Sequence, residues 1–186
     1  LPSLLGQLTA LGTLALAGNV LNGTIPVNLD LLTALTSLFL FDNALTGPIA
    51  SSLGQLTELQ TLGLENNSLR GNIPDDLGLL TALTWLNLRT NELTGTIPSS
   101  FGQLTALRSL SLNDNALRGT IPDDLGLLTE LTFLGLFENA LTGAIPSPLG
   151  QLMALDTLAL YNNTLTGAIP DDLGLLSALS WLGLYD

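Results

Sequence analysis

The chain has 186 residues, 46% of them hydrophobic, with 16 Asp plus Glu set against 4 Arg and no Lys, for a net charge of −12. That length and apolar content suffice for one continuous core. The charge argues against nucleic acid, whose phosphates need clustered Lys and Arg, and against anionic membranes, and it suits basic partners, neutral sugars or cations.

The absence of Cys and His removes thiol catalysis, disulfides, cysteine–zinc sites and the commonest general base. The lack of Cys leaves the redox compartment open. No secretory signal is visible, and Leu1 is not a natural start, which leaves room for a leader upstream. Mean hydropathy is +0.48, yet no run approaches the ~18 apolar residues of a membrane span. Gly, Thr, Asn or Pro interrupts every few positions.

Internal periodicity organises the rest. Asn19, Asn43, Asn67, Asn91, Asn115, Asn139 and Asn163 lie 24 residues apart without a slip. Gly23 through Gly167 and Ile25 through Ile169 keep the same beat. The unit reads L-x-x-L-x-L-x-x-N-x-L-x-G-x-I-P-x-x-L-G-x-L-x-x, in seven nearly complete copies and an eighth that stops after its strand at Asp186. No linker interrupts them, so residues 1–186 are expected to form a single domain.

Along the first unit, Leu14 and Leu16 alternate with Thr13, Ala15 and Ala17, the period of a short strand with one buried face. Strands stacked at ~4.8 Å per rung make a parallel sheet with an edge of roughly 35–40 Å. Asn19 follows. Its amide both donates and accepts, so in a stacked Asn column Asn43 through Asn139 are expected to be buried and to satisfy main-chain groups left over by an inward turn. Gly23 suits a tight or close-packed backbone. Ile25-Pro26 carries the chain to the outer side, where Pro gives up a ladder donor. Ser51-Ser52, Asp75-Asp76, Ser99-Ser100 and Asp123-Asp124 open the return segments of later units and are expected to cap short helical turns.

The L-x-G-x-I-P signature inside a 24-residue unit resembles the plant-type leucine-rich repeat of receptor-kinase ectodomains and polygalacturonase-inhibiting proteins, over the whole chain. The resemblance implies an α/β fold: a right-handed solenoid with a parallel concave β-sheet, 3-10 or short helical turns on the convex side, and a second short strand near L-x-G-x-I. Departures are few: Gly47-Pro48-Ile49-Ala50 shifts the proline, Asp30 replaces a Gly, Phe101 a Leu and Met153 a Thr. Neither end carries the Cys-paired caps common in secreted members. A solenoid needs its terminal core covered, so a longer protein, covering partners, or end-to-end or lateral self-association is expected.

A second period lies above the first. Gln7, Gln55, Gln103 and Gln151 are 48 residues apart, and the alternating rungs place Leu31, Leu79, Leu127 and Leu175 there. Duplication of a repeat pair accounts for this; a convex Leu stripe contacting a neighbouring chain is the sharper alternative.

In such a solenoid the leucines are fixed by packing, and function falls to the variable positions of the concave strands. Each rung offers four of these, beginning with Thr13, Ala15, Ala17 and Gly18, and later including Glu65, Asn87, Ser111 and Asn113. Eight of the nine aromatic residues fall on them: Phe39, Phe41, Trp85, Phe133, Phe137, Tyr161, Trp181 and Tyr185. Large aromatics on a solvent face are costly unless covered. Strand propensity with cross-rung stacking is the bland explanation, a ligand surface the functional one. The densest patch is Phe133, Phe137, Tyr161, Trp181 and Tyr185, rimmed by Asp114, Glu138, Asn162 and Asp186. With Arg89 on the fourth rung, these residues form the candidate ligand face. Aromatic rings beside carboxylates and amides suit sugars, or a peptide carrying Lys or Arg.

No catalytic set, metal site or cofactor is expected. The Asp doublets lie two rungs, roughly 9–10 Å, apart, too far for one ion to bridge. Asp114 and Glu138 are neighbours in one column, and glycoside hydrolysis does run on paired carboxylates, but an open sheet desolvates neither. Asn22, Asn66 and Asn162 head sequons and are acceptors for N-glycosylation in a secreted eukaryotic protein. A glycan at Asn162 would crowd the aromatic patch. The reading is a non-enzymatic, extracellular or cell-surface module that recognises a protein, peptide or carbohydrate. The alternatives are a structural element of a fibre or cell wall, and ice binding.

Overall fold

The computed structural model describes residues 1–185; Asp186, expected at the rim of the aromatic patch, lies outside the described residues. Eight three-residue strands, Thr13–Ala15, Ser37–Phe39, Thr61–Gly63, Trp85–Asn87, Ser109–Ser111, Phe133–Gly135, Thr157–Ala159 and Trp181–Gly183, pair in sequence order as one sheet. Every pairing is parallel, in a register of one repeat: Leu14 lies beside Leu38, Leu38 beside Leu62, and Leu158 beside Leu182. The strands are short because only L-x-L alternates; the residues beyond turn the chain inward.

Short outer strands form beside the L-x-G segment, as the resemblance implied. Four, Asn22–Thr24, Ala44–Gly47, Ser68–Asn72 and Glu92–Thr94, form one set, and Arg118–Gly119, Ala140–Gly143 and Thr164–Leu165 another. The glycine of this segment takes a left-handed conformation, φ +80° at Gly95, open at little cost to a residue without Cβ. Each coil closes through a five-residue 3-10 turn such as Ser51–Gln55 or Asp75–Leu79.

The core is a set of leucine columns with little variation. Leu38, Leu62, Leu86, Leu110, Leu134 and Leu158 are fully buried and Leu14 nearly so, whereas Leu182, on the last rung, is 43% exposed. Phe101 is fully buried in a position that Leu77 and Leu125 occupy on the flanking rungs. Leu31, Leu79, Leu127 and Leu175 are exposed along the convex side.

Two expectations are corrected. Asn43 through Asn139 of the ladder are half-buried, not buried, although their main-chain bonding is as expected. Asn43 Nδ2 donates to the carbonyls of Leu16, Leu40 and Phe41 at 3.0–3.1 Å, and its Oδ1 accepts from Leu21 N–H at 2.9 Å. The amide thus ties two rungs together from the edge of the core. The Ser and Asp doublets are not caps. Proline holds the N-cap position of seven turns and Ala50 that of the eighth, with no side-chain cap bond in any. The doublets begin inside the turn, past the place from which a side chain folds back onto the free N–H groups. Ser52 and Ser100 instead donate to the carbonyls of Val27 and Asp75 on the preceding rung, at 2.9 and 2.8 Å.

Candidate functional site

The sheet presents four columns of side chains. The first contains Trp85, Phe133 and Trp181; the second is mostly small, with Gly63, Ser111, Gly135 and Gly183, but also holds Phe39 and Asn87; the third runs Phe41, Glu65, Arg89, Asn113, Phe137, Tyr161 and Tyr185. The fourth, Asp42, Asn66, Thr90, Asp114, Glu138 and Asn162, has φ between 51° and 55°. This left-handed step is rare outside Gly, Asn and Asp, and most costly for a β-branched residue such as Thr90. Cross-rung bonds hold it: Thr90 N–H donates to Asn113 O at 3.0 Å, and Glu138 N–H to Tyr161 O at 3.1 Å. Counting outward positions by alternation missed this conformation. Gly18, Asp42, Asn66, Asp114 and Asn162 in one column were its signal.

In the third column the rings of Phe137 and Tyr161 stack at 4.4 Å and 11°, and those of Tyr161 and Tyr185 at 4.7 Å and 9°. Trp181 meets Tyr161 edge-on at 5.9 Å and 80°. Four of the five residues of the expected patch are therefore in ring contact. Phe133 is not part of this stack among the described residues; it lies flat on its own strand. A Cβ on Gly135 would stand 2.9 Å from Phe133 Cε1 and 3.3 Å from Asn113 Oδ1. At the other end, Phe39 and Phe41 meet edge to face at 6.2 Å and 82°. Trp85 leans over Gly63, where a Cβ would stand 2.9 Å from its Cζ3. Gly63, Gly135 and Gly183, read from the sequence only as outward positions, leave bare backbone on which the rings lie down. The Phe-Leu-Gly and Trp-Leu-Gly strands at 133–135 and 181–183 carried that signal.

This geometry corrects the expected concave face. Glu65, Asn87, Ser111 and Asn113, read as outward, are buried. Around Glu65 the rings of Phe41 and Trp85, from the two adjacent rungs, converge over Gly63, which alternation within one strand does not reveal. The eight aromatics themselves are half-buried or exposed.

The rim is acidic. Asp114 Oδ2 accepts from Asn113 Nδ2 at 2.6 Å. A hydrogen bond shared with Asp114 is the main reason the Glu138 carboxyl is held above its ordinary range; the Asp114 charge and slight desolvation add to this, and Asn162 opposes it. Desolvation in the stack, then the Tyr185, Glu138 and Asp114 groups, raise the Tyr161 phenol. Asn66 Nδ2 donates to Asp42 Oδ1 at 2.6 Å, which ties up that sequon in the concave face, whereas Asn22 is exposed in an outer strand.

The leucine rich repeat family matches at residues 81–141 and again at 58–80. The ectodomain of the Arabidopsis thaliana receptor kinase GASSHO1/SCHENGEN3, solved in complex with CASPARIAN STRIP INTEGRITY FACTOR 2, is 46% identical over 100% of this chain and 22% of that one, with a TM-score of 0.99. The ectodomain of the Arabidopsis receptor kinase HAESA, in complex with an N-terminally extended IDA peptide hormone, is 38% identical over 99% of this chain and 31% of that one, with a TM-score of 0.92. A plant ice-binding protein is 27% identical over 98% of this chain and 77% of that one, with a TM-score of 0.65. The chain therefore spans 22% and 31% of the two receptor ectodomains. No curated protein sequence matches it.

Proposed function

We propose that this chain, a leucine-rich-repeat protein of the plant type, is an extracellular, non-catalytic recognition surface that binds a peptide along its concave sheet. The observation that carries this reading is the ring stack of Phe137, Tyr161 and Tyr185 with Trp181 set against it. Nothing in the repeat demands rings there, and they form a continuous apolar strip with a carboxylate and amide margin. Such strips take apolar side chains on their faces, while the rim acts on basic groups at longer range. Peptide complexes of similar receptor ectodomains support the same use of the fold. Sugar rings also suit stacked aromatics, and they form the second arm of the test.

An array of peptides and glycans supplies the partner. Tyr161→Ala is expected to weaken the best binder about tenfold or more without unfolding the chain, since buried aromatic anchors dominate interfaces. Glu138→Ala is expected to act mainly on the salt dependence of association. Binding that survives Tyr161→Ala combined with Trp181→Ala unchanged would move the site to the convex side. Glycan hits without peptide hits would replace the peptide reading.

Ice binding is a second reading, favoured by the similarity to the plant ice-binding protein and by exposed Thr9, Thr33, Thr57, Thr81, Thr105 and Thr129, one per rung. Thermal hysteresis that is lost when Thr57, Thr81 and Thr105 become Lys would support it; its absence in the parent protein sinks it.

A further inference from the structure

Rungs two to four carry a second cluster on the same face, outside the aromatic stack. The rings of Phe41 and Trp85 and the carboxylate of Glu65 converge over the bare backbone of Gly63. Trp85 Cζ3, Phe41 Cδ1 and Glu65 Oε2 stand 2.9, 3.2 and 3.2 Å from the point that a Cβ would occupy there. Glu65 is only 6% exposed, and its Oε2 has no hydrogen-bond partner.

Packing does not ask for a carboxylate here. Other rungs fill the same place with Ala17, Phe41, Asn113 or Tyr161, so an apolar or amide side chain fits the column. An apolar one would also avoid the cost of an unpartnered buried oxygen. Neighbouring charges relieve that cost only in part. Asp42, on the preceding rung, accepts from Asn66, and Arg89, on the next, forms no ion pair with Glu65 among the described residues. Burial pushes the Glu65 carboxyl above its ordinary range, opposed by its own backbone N–H and by Arg89 and reinforced by Asp42.

We propose that Glu65 is a subsite for a guanidinium group of the bound peptide, with Oε2 accepting its hydrogen bond and the rings of Phe41 and Trp85 lying against the cation. A planar cation fits between ring faces, and its attraction to them strengthens when water is excluded. Trp85 is half-buried at the surface; turning its ring outward opens the way to Oε2, so the subsite is closed until it is occupied. The proposal rests on the peptide reading above and extends it along the sheet. Glu65 and Tyr161 are four rungs apart, about 19 Å at ~4.8 Å per rung, which an extended peptide crosses in about six residues. The peptide class is therefore one with an arginine about six positions from an apolar or aromatic residue.

The probes are acetylated, amidated peptides with Arg at one end, Phe at the other, and Ser-Gly spacers of about two, five or eight residues, each with a counterpart carrying norleucine for Arg. Binding is read by calorimetry on the parent chain. The five-residue spacer is expected to bind tightest and its norleucine counterpart about tenfold more weakly, the loss of one charge-assisted hydrogen bond. Glu65→Gln, which preserves shape, is expected to erase that difference, while Tyr161→Ala weakens both peptides alike. Arg peptides that bind no better than norleucine ones, or a difference unchanged in Glu65→Gln, overturn the Glu65 subsite. An intact Glu65 difference with no effect of Tyr161→Ala overturns the aromatic-stack reading instead and leaves the subsite standing.

Discussion

Replacing Asn91 with Ala removes one amide and disturbs four main-chain groups on two rungs. Nδ2 donates to Leu64 O, Leu88 O and Arg89 O at 3.0, 3.1 and 3.2 Å, and Oδ1 accepts from Leu69 N–H at 3.0 Å. The carbonyls are partly insured, since Asn67 also donates to Leu64 O and Asn115 to Leu88 O. Leu69 N–H has no such second partner among the described residues. One orphaned donor costs ~1–3 kcal/mol, and the site is half-buried, so water recovers part of it; the expected loss is about 2 kcal/mol. For a chain of this size that is a fall of about 4–8 °C in Tm. Asn19 is the internal control. It is exposed and bonds only Leu16 O and Ala17 O of its own rung, so Asn19→Ala should cost a few tenths of a kcal/mol. Circular-dichroism melts of both variants and the parent suffice. Equal effects, or an Asn91→Ala loss below about 0.5 kcal/mol, would refute the reasoning that the ladder couples rungs.

Other consequences follow from the same contacts. The folded chain holds the Glu65 proton to higher pH than the unfolded chain does, so ionising it costs stability as pH rises from the ordinary glutamate value through the raised one. Glu65→Gln should therefore raise Tm near pH ~7 and lose that advantage near pH ~3, below both values; a gain independent of pH would contradict this. Gly63→Ala places a methyl against Trp85 and Phe41. Because ring tips can yield, Tm should fall little while Trp85 emission shifts to the red in a Trp181→Phe background. Phe101 is fully buried, and Phe101→Ala should cost about 3–5 kcal/mol, measured by chemical denaturation.

The fold was legible because each column repeats one physical requirement seven or eight times. Leu62, Leu86 and Leu110 are buried for the same reason, and any one strand would have sufficed to show it. Alternation within one strand failed where burial comes from a neighbouring rung. Glu65 is covered where Trp85 and Phe41 converge over Gly63, a relation visible only when neighbouring columns of adjacent rungs are read together. The left-handed column was hidden because Thr90 and Glu138 adopt it against their own preference, held by the ladder. The Asp doublets misled because residue type suits a cap while position does not: proline already stands where the cap would be. Asp186 aside, the rings expected to meet at the C-terminal end do meet, except Phe133, which the adjacent Gly135 allows to fold onto the sheet.

The central claim is that recognition belongs to the concave rings. The most direct measurement is a backbone chemical-shift map of the isotope-labelled chain titrated with the tightest peptide from the array. Perturbations are expected to concentrate in Phe133–Gly135, Thr157–Ala159 and Trp181–Gly183 and at Phe137, Tyr161 and Tyr185, with a second focus around Glu65 when the peptide carries arginine. Perturbations gathered instead on the 3-10 turns, around Leu79, Leu127 and the Asp doublets, with the ring residues unmoved, would contradict it.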